Sequence, residues 1–215
     1  MKKKSLFVMG AAMMLAISLN SCSSDEQANE EPKPNDEKEL DSNPVDTRLR
    51  DIRADYPDAI SYISGGNNHE GWNNPDSDVA DPLVAFFQEE LHSPYWDENG
   101  NEFKTFFEQG SYDDDSYLMI NSHEDFQKAY MGTKELPEID FDKYTLIIGR
   151  TWGNDSSYEL ADVFLRDDGD NYLLDACLWH HNGFAFAAIV RIYYWRLYPK
   201  LAQKDIVTSR VVYSI

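Results

Sequence analysis

Cys22 marks where the part of this chain that can fold begins. It follows a basic start (Lys2, Lys3, Lys4), an apolar run from Leu6 to Leu19, and Asn20-Ser21. Charge, apolar core and a small residue at the cut are the three parts of an export signal, so residues 1–21 read as a leader that is removed. The run is too short to span a bilayer, which takes about 20 apolar residues. Whatever the chain folds into must be built from the residues after the leader.

Removing the leader takes three lysines. It leaves 16 Lys+Arg (19 less 3) against 39 Asp+Glu, a formal net charge of −23. Such a field repels nucleic acid and anionic membrane surfaces. It suits solubility at a cell surface, or a cationic partner. Residues 22–44 read as a tether, with Pro32, Pro34 and Pro44, eight acidic residues and almost nothing apolar. A stretch of this composition cannot bury enough surface to offset its ordering entropy. Residues 45–215 then make a single domain of ordinary size.

The run Cys22-Ser23-Ser24-Asp25-Glu26 resembles the start of Bacteroidetes-type surface lipoproteins, where the cysteine is lipidated and a serine- and acid-rich stretch marks export to the outer face. The resemblance implies lipid on Cys22, an outer-membrane location with surface exposure, and membrane contact through that lipid. It also leaves Cys177, the second of two cysteines, without an intrachain partner. The fold must then stand on a hydrophobic core, despite an oxidising address.

The domain reads as α+β. Leu49, Ile52, Tyr56 and Ile60 have helical spacing broken by Pro57, which predicts a short helix followed by irregular chain rich in Gly and Asn. Asp81-Pro82 looks like a helix start, with Leu83, Phe86, Phe87 and Glu90 on one face; a strand over 84–87 is the alternative. Asn99-Gly100 between aromatics predicts a hairpin with a tight primed turn. Residues 117–120 read as a strand. Ser122, with Asp125 three places on, then caps a helix that buries Phe126 and Tyr130. Strands follow over 144–150, 159–166, 172–179, 186–198 and 206–213. Asp167-Asp168-Gly169-Asp170-Asn171 turns the second hairpin. The sum is a mostly antiparallel sheet of about five or six strands with one main packed helix.

Chemistry is thinly signalled. Asp97, Asn99, Asn101 and Glu108 fit a calcium-loop count, but Glu102 stands where the loop requires glycine, which favours a plain hairpin. Asp113-Asp114-Asp115 and Asp167-Asp168-Gly169-Asp170 read as solvated turns. On a strand, Cys177 shares a face with His181 and not with His180, which leaves too few ligands for zinc. No basic neighbour in sequence activates the thiol. His69-Glu70 and His123-Glu124 lack a second histidine at helical spacing, and no hydrolase or phosphate-loop motif appears. Neither a metal nor a cofactor is expected. The candidate ligand-binding residues are the tryptophans Trp152, Trp179 and Trp195, since flat aromatics stack on sugar rings and anchor protein contacts. Their competing reading is sheet core, with Trp152, in a Gly/Asn/Asp loop, the best placed for exposure.

From Met119 onward the motifs Ile120-Asn121-Ser122, Leu136-Pro137-Glu138-Ile139-Asp140-Phe141, Tyr144-Thr145-Leu146-Ile147-Ile148-Gly149 and Tyr198-Pro199-Lys200-Leu201 resemble a group of Bacteroidetes lipoproteins. More remotely, Pro137-Glu138-Ile139-Asp140-Phe141 before a strand resembles the C-terminal domain of the protease-complex-subunit (PrcB-like) family. That resemblance implies an accessory interaction domain and supplies no catalytic residues. Physically, Phe141 reads as a plug entering the core and Asp140 as a brace for the same turn. The expectation is a non-enzymatic envelope lipoprotein that binds a protein partner. The alternative is a carbohydrate-binding surface lipoprotein accessory to glycan uptake. A hydrolase without a recognisable motif stands third.

Overall fold

A strand that is apolar on both faces needs a cover on each side, and this molecule supplies two different covers. The computed structural model describes residues 44–65, 80–109 and 115–215, all within one compact unit, Ser42–Ile215. The elements in order are α1 (Pro44–Ala54), α2 (Ala80–Glu90), β1 (Tyr95–Trp96), β2 (Glu102–Phe103), β3 (Ser116–Ile120), α3 (His123–Ala129), β4 (Tyr144–Gly153), β5 (Tyr158–Asp167), β6 (Tyr172–His180), β7 (Val190–Pro199) and β8 (Ile206–Ser214). The architecture is α+β and mostly sheet. The six longer strands form two three-stranded sheets, β3-β4-β7 and β5-β6-β8, and β1-β2 is a separate hairpin.

Alternation along β4 and β7 shows what covers each face. Leu146, Ile148, Tyr193, Trp195 and Leu197 pack with Leu83 and Phe87 of α2 and Phe126 of α3. The residues between them, Ile147, Tyr194 and Tyr198, pack against Leu160, Val163, Leu174 and Leu178 of the second sheet. That sheet's outer face, with Phe164, Cys177 and Trp179, is closed by Ile52 of α1 and by Tyr56. The layers therefore run helix, sheet, sheet, helices. Residues 83–107 share one core cluster with residues 120–197, so the segment before β3 is part of the main fold. Burying each such Phe or Leu contributes about 1.5–3 kcal/mol. β8 lies parallel to β6, because β7, in the opposite sheet, makes the return run.

Local signals hold where they are strongest. Ser122 caps α3 by accepting from the Asp125 N–H at 3.0 Å, and Phe126 is fully buried. Phe141 enters the same cluster, edge-on to Phe126 with centroids 6.2 Å apart. The Asp140 carbonyl accepts from the N–H groups of Lys143 and Tyr144, bracing the turn into β4. In the β1–β2 hairpin, Gly100 has φ +80°, donates to the Asp97 carbonyl, and Asp97 N–H donates to Asn101. That closes a three-residue loop with a left-handed glycine in place of the two-residue primed turn.

The segment 60–65 runs along the free edges of both sheets. The Ile60 N–H donates to Leu165 O of β5, the Ile63 N–H to Leu197 O of β7, and Ser64 pairs with Leu197. Gly65 is required here, since a Cβ would stand 2.5 Å from Arg196 Cδ and 2.8 Å from Trp195 O. Between the sheets lies a buried charge pair. A register shift between Leu160 and Asp162 aims the Asp162 carboxylate at Arg196 Nη2, 2.9 Å away, with the two side chains 1% and 2% exposed. Its other oxygen accepts from Arg53 Nε and Nη2 of α1 at 3.2 and 3.1 Å. The pair thus ties both sheets to α1.

One strand is shorter than its sequence suggests. The apolar residues 186–189 are not part of β7, which begins at Val190 opposite Gly153, the last residue of β4. Among the described residues no strand lies beyond Gly153 to pair with them, and they form a loop. The leader, the tether from Cys22 to residue 43, the Gly/Asn-rich stretch with His69 and Glu70, and Asp113 and Asp114 lie outside the described residues, while Pro44, read as the end of the tether, opens α1.

Candidate functional site

The three candidate tryptophans do not form a common surface. Trp195 is 2% exposed and stacks on Phe87 in the helix-covered core. Trp179 is 5% exposed on the opposite side of the molecule, edge-on to Tyr213. It lines a cavity of about 350 Å³ with Arg48 and Asp51 of α1 and Asp55 just after it, and its indole N–H is buried without a hydrogen-bond partner among the described residues. Both sit on strands whose two faces are covered, which is the physical reason they are core and not ligand platforms. Trp152 is half-buried near the end of β4. Its ring carries the Arg210 guanidinium at 3.8 Å, and its carbonyl accepts from Arg210 Nη1.

What lies exposed at that end is the β6–β7 loop. Residues 183–189, Gly-Phe-Ala-Phe-Ala-Ala-Ile, carry no charge and no hydrogen-bonding side chain. Phe184 is 93% exposed, Phe186 71% and Ile189 48%. The two rings meet edge to face with centroids 5.8 Å apart. The loop is held by its backbone. Phe186 donates to Ser156 Oγ and accepts from the Ser156 N–H, His181 donates to Ser157 O, and Asn182 donates to Ile215 O. Asp155 fixes this base by accepting from the Ser157 hydroxyl and N–H, bonds that hold its carboxyl below the ordinary aspartate value. His180 Nε2 stands 3.9 Å from Asp155, and His181 Nε2 3.1 Å from Glu159. A hydrogen-bonded base thus presents two phenylalanines to solvent, with His180, His181 and their carboxylate neighbours beside it. Large apolar surface of this kind marks contact sites. The sequence conceals the loop because Phe186 and Ile189 continue the apolar pattern of β7.

A second exposed aromatic group sits on the β1–β2 hairpin. Tyr95 and Phe103, cross-strand neighbours, stack at 5.2 Å and 15°. Trp96, paired with Glu102 in register, is 59% exposed. The hairpin signal locates this group, since Asn-Gly with flanking aromatics on two-residue strands leaves the rings uncovered.

The remaining candidates are structural. Asp97 accepts from the Asn99 and Asn101 N–H groups and from the Asn101 amide, while Glu108 pairs with Lys104, so the calcium-loop residues are spent on the turn. Asp167 pairs with Lys204 across its turn. Among the described residues no three His, Cys, Asp or Glu side chains gather where they could hold a metal ion. Cys177 is fully buried, and burial pushes its thiol up to about 12, against the opposing pull of its bond to Tyr56. No helix among the described residues is long and apolar enough to cross a membrane. No family model, no curated protein and no solved structure matches this chain.

Proposed function

We propose that this chain is an outer-membrane, surface-exposed lipoprotein, anchored through lipid on Cys22, whose domain is a non-enzymatic protein-interaction module that docks through its β6–β7 loop. The observation that carries the docking face is the Phe184–Phe186 pair, exposed on a loop whose backbone is clamped to Ser156. Ordering such a loop costs entropy that its own side chains do not recover by burial. A partner covering both rings would recover it, and aromatic side chains in a fixed frame are the usual anchors of protein contacts. The leader, the acidic tether and the accessory-domain resemblance support the anchored, non-catalytic part of the reading. The test is crosslinking capture from envelopes with the full-length chain against a Phe184→Ser, Phe186→Ser variant. A stoichiometric partner recovered by the first and lost by the second is expected. Failure of the native chain to hold any stoichiometric partner would overturn the reading.

The carbohydrate-binding alternative, a surface lipoprotein accessory to glycan uptake, keeps one specific support, the exposed hairpin with Trp96 beside Glu102. An aromatic face next to a carboxylate suits a sugar ring with its hydroxyls. A rise in melting temperature with host or plant oligosaccharides, absent in Trp96→Ala, would favour it.

A further inference from the structure

The free edges of the two sheets are treated unequally. The segment 60–65 bridges the edge of β7 and donates one hydrogen bond to β5, and β5 is guarded further by its register shift and by Glu159, Asp162, Arg166 and Asp167. β3 is an edge of only five residues. β8 is an edge of nine residues, Ile206–Ser214, and among the described residues nothing pairs with its outer side. Of the usual guards it has only one inward-pointing charge, Arg210. It contains no proline, no lysine and no carboxylate, its pairing with β6 runs without a register shift, and Val207 and Val212 stand 52% and 42% exposed. A long, flat edge rich in β-branched residues is a template for another strand.

We infer that β8 pairs antiparallel with β8 of a second copy of this chain, about a two-fold axis at Ser209, to give a continuous six-stranded sheet. Two observations select a second copy, and a third sets its register. First, Arg210 is the strand's one charged residue and is folded onto Trp152, so the edge is nearly neutral within a chain whose net charge is strongly negative. Copies that repel elsewhere meet here without a carboxylate on either strand, and charges farther off are screened beyond about 8 Å. Second, the edge is self-complementary. A two-fold perpendicular to the sheet keeps each face on its own side, so odd positions pair with odd and even with even. With the axis at Ser209, Val207 lies opposite Val211 of the second copy, Ile206 opposite Val212, and Thr208 opposite Arg210. Third, an axis at Arg210 would set that arginine against itself, which is unfavourable across a strand pair, an axis at Val211 would set Arg210 against Val212, and an axis at Thr208 would pair only residues 206–210. The exposed face of Val207 and the inward face of Val212 each gain an apolar neighbour.

Cysteine crosslinking of the full-length chain in intact envelopes tests this, with Val207→Cys, Ser209→Cys and Val212→Cys compared under mild oxidation. Directly opposed residues have Cα atoms about 4.5–5.5 Å apart, within disulfide range. Only position 209 faces itself, so Ser209→Cys should lose its monomer band on a non-reducing gel while the other two keep theirs. The native chain, with Cys22 and the buried Cys177, should stay monomeric on the same gel. Asp175, which accepts from the Ser209 hydroxyl, keeps its bond from Arg166, so the substitution leaves it paired. Adding Val207→Lys, an edge guard at an exposed site, should abolish the crosslink. No dimer from Ser209→Cys, equal crosslinking at all three sites, or a mixed disulfide with another envelope protein in place of the dimer would each overturn the inference.

Discussion

The space between the two sheets and the β6–β7 loop invert the usual distribution of residues. Inside, Asp162 and Arg196 are almost wholly buried; outside, Phe184 is almost wholly exposed. Hydropathy alone would place them the other way round. The difference teaches that position follows the partners available within the chain. Asp162 finds two arginines, and its bulge lets one carboxylate reach both. Phe184 finds only Phe186, because β4 ends before its strand could continue.

The comparison breaks most severely at the charge pair. Asp162→Asn leaves Arg196 buried without its counter-ion and should cost about 3–5 kcal/mol, read from denaturant midpoints at unchanged m-value. Next is Gly65→Ala, which forces a methyl group against Arg196 and the Trp195 carbonyl; a loss of about 1–3 kcal/mol is expected. Ser122→Ala removes the cap of α3, which belongs to neither region, and sets the scale of an ordinary local defect at about 1 kcal/mol. The smallest effect belongs to the loop. Phe184→Ser with Phe186→Ser should change stability by no more than about 0.5 kcal/mol, since neither ring is buried. A large loss there would mean that the loop serves the fold and not a partner.

Much of the fold is legible in the sequence, and the reasons differ by element. Ser122, Phe126 and the Asp167–Asn171 turn are local signals whose geometry is complete within a few residues. The alternation Tyr193-Tyr194-Trp195 places adjacent rings on opposite faces, and both are buried because both faces are covered. Covered faces do not say what covers them. A helix layer and a second sheet demand the same apolar residues, so the division of six strands into two sheets is not readable from periodicity. The site is less legible. Trp152, Trp179 and Trp195 stand out in the sequence by residue type, yet two of them are core. Phe184 and Phe186 differ from strand residues only in lacking a partner strand, which is a property of β4. Trp96 lies inside the hairpin signal, but the two-residue length of its strands, which leaves the ring uncovered, is not written in the residues.

The segment 60–65 has a consequence in time. It is made early, and the strand it must clasp, β7, is among the last to be made. In a chain that emerges N-terminus first, this clasp cannot close until nearly the whole domain is present. Contacts so distant in sequence slow folding, so the segment 60–65 waits with its backbone groups unpaired through most of synthesis, and any chaperone that shields it must hold on until the last strands arrive.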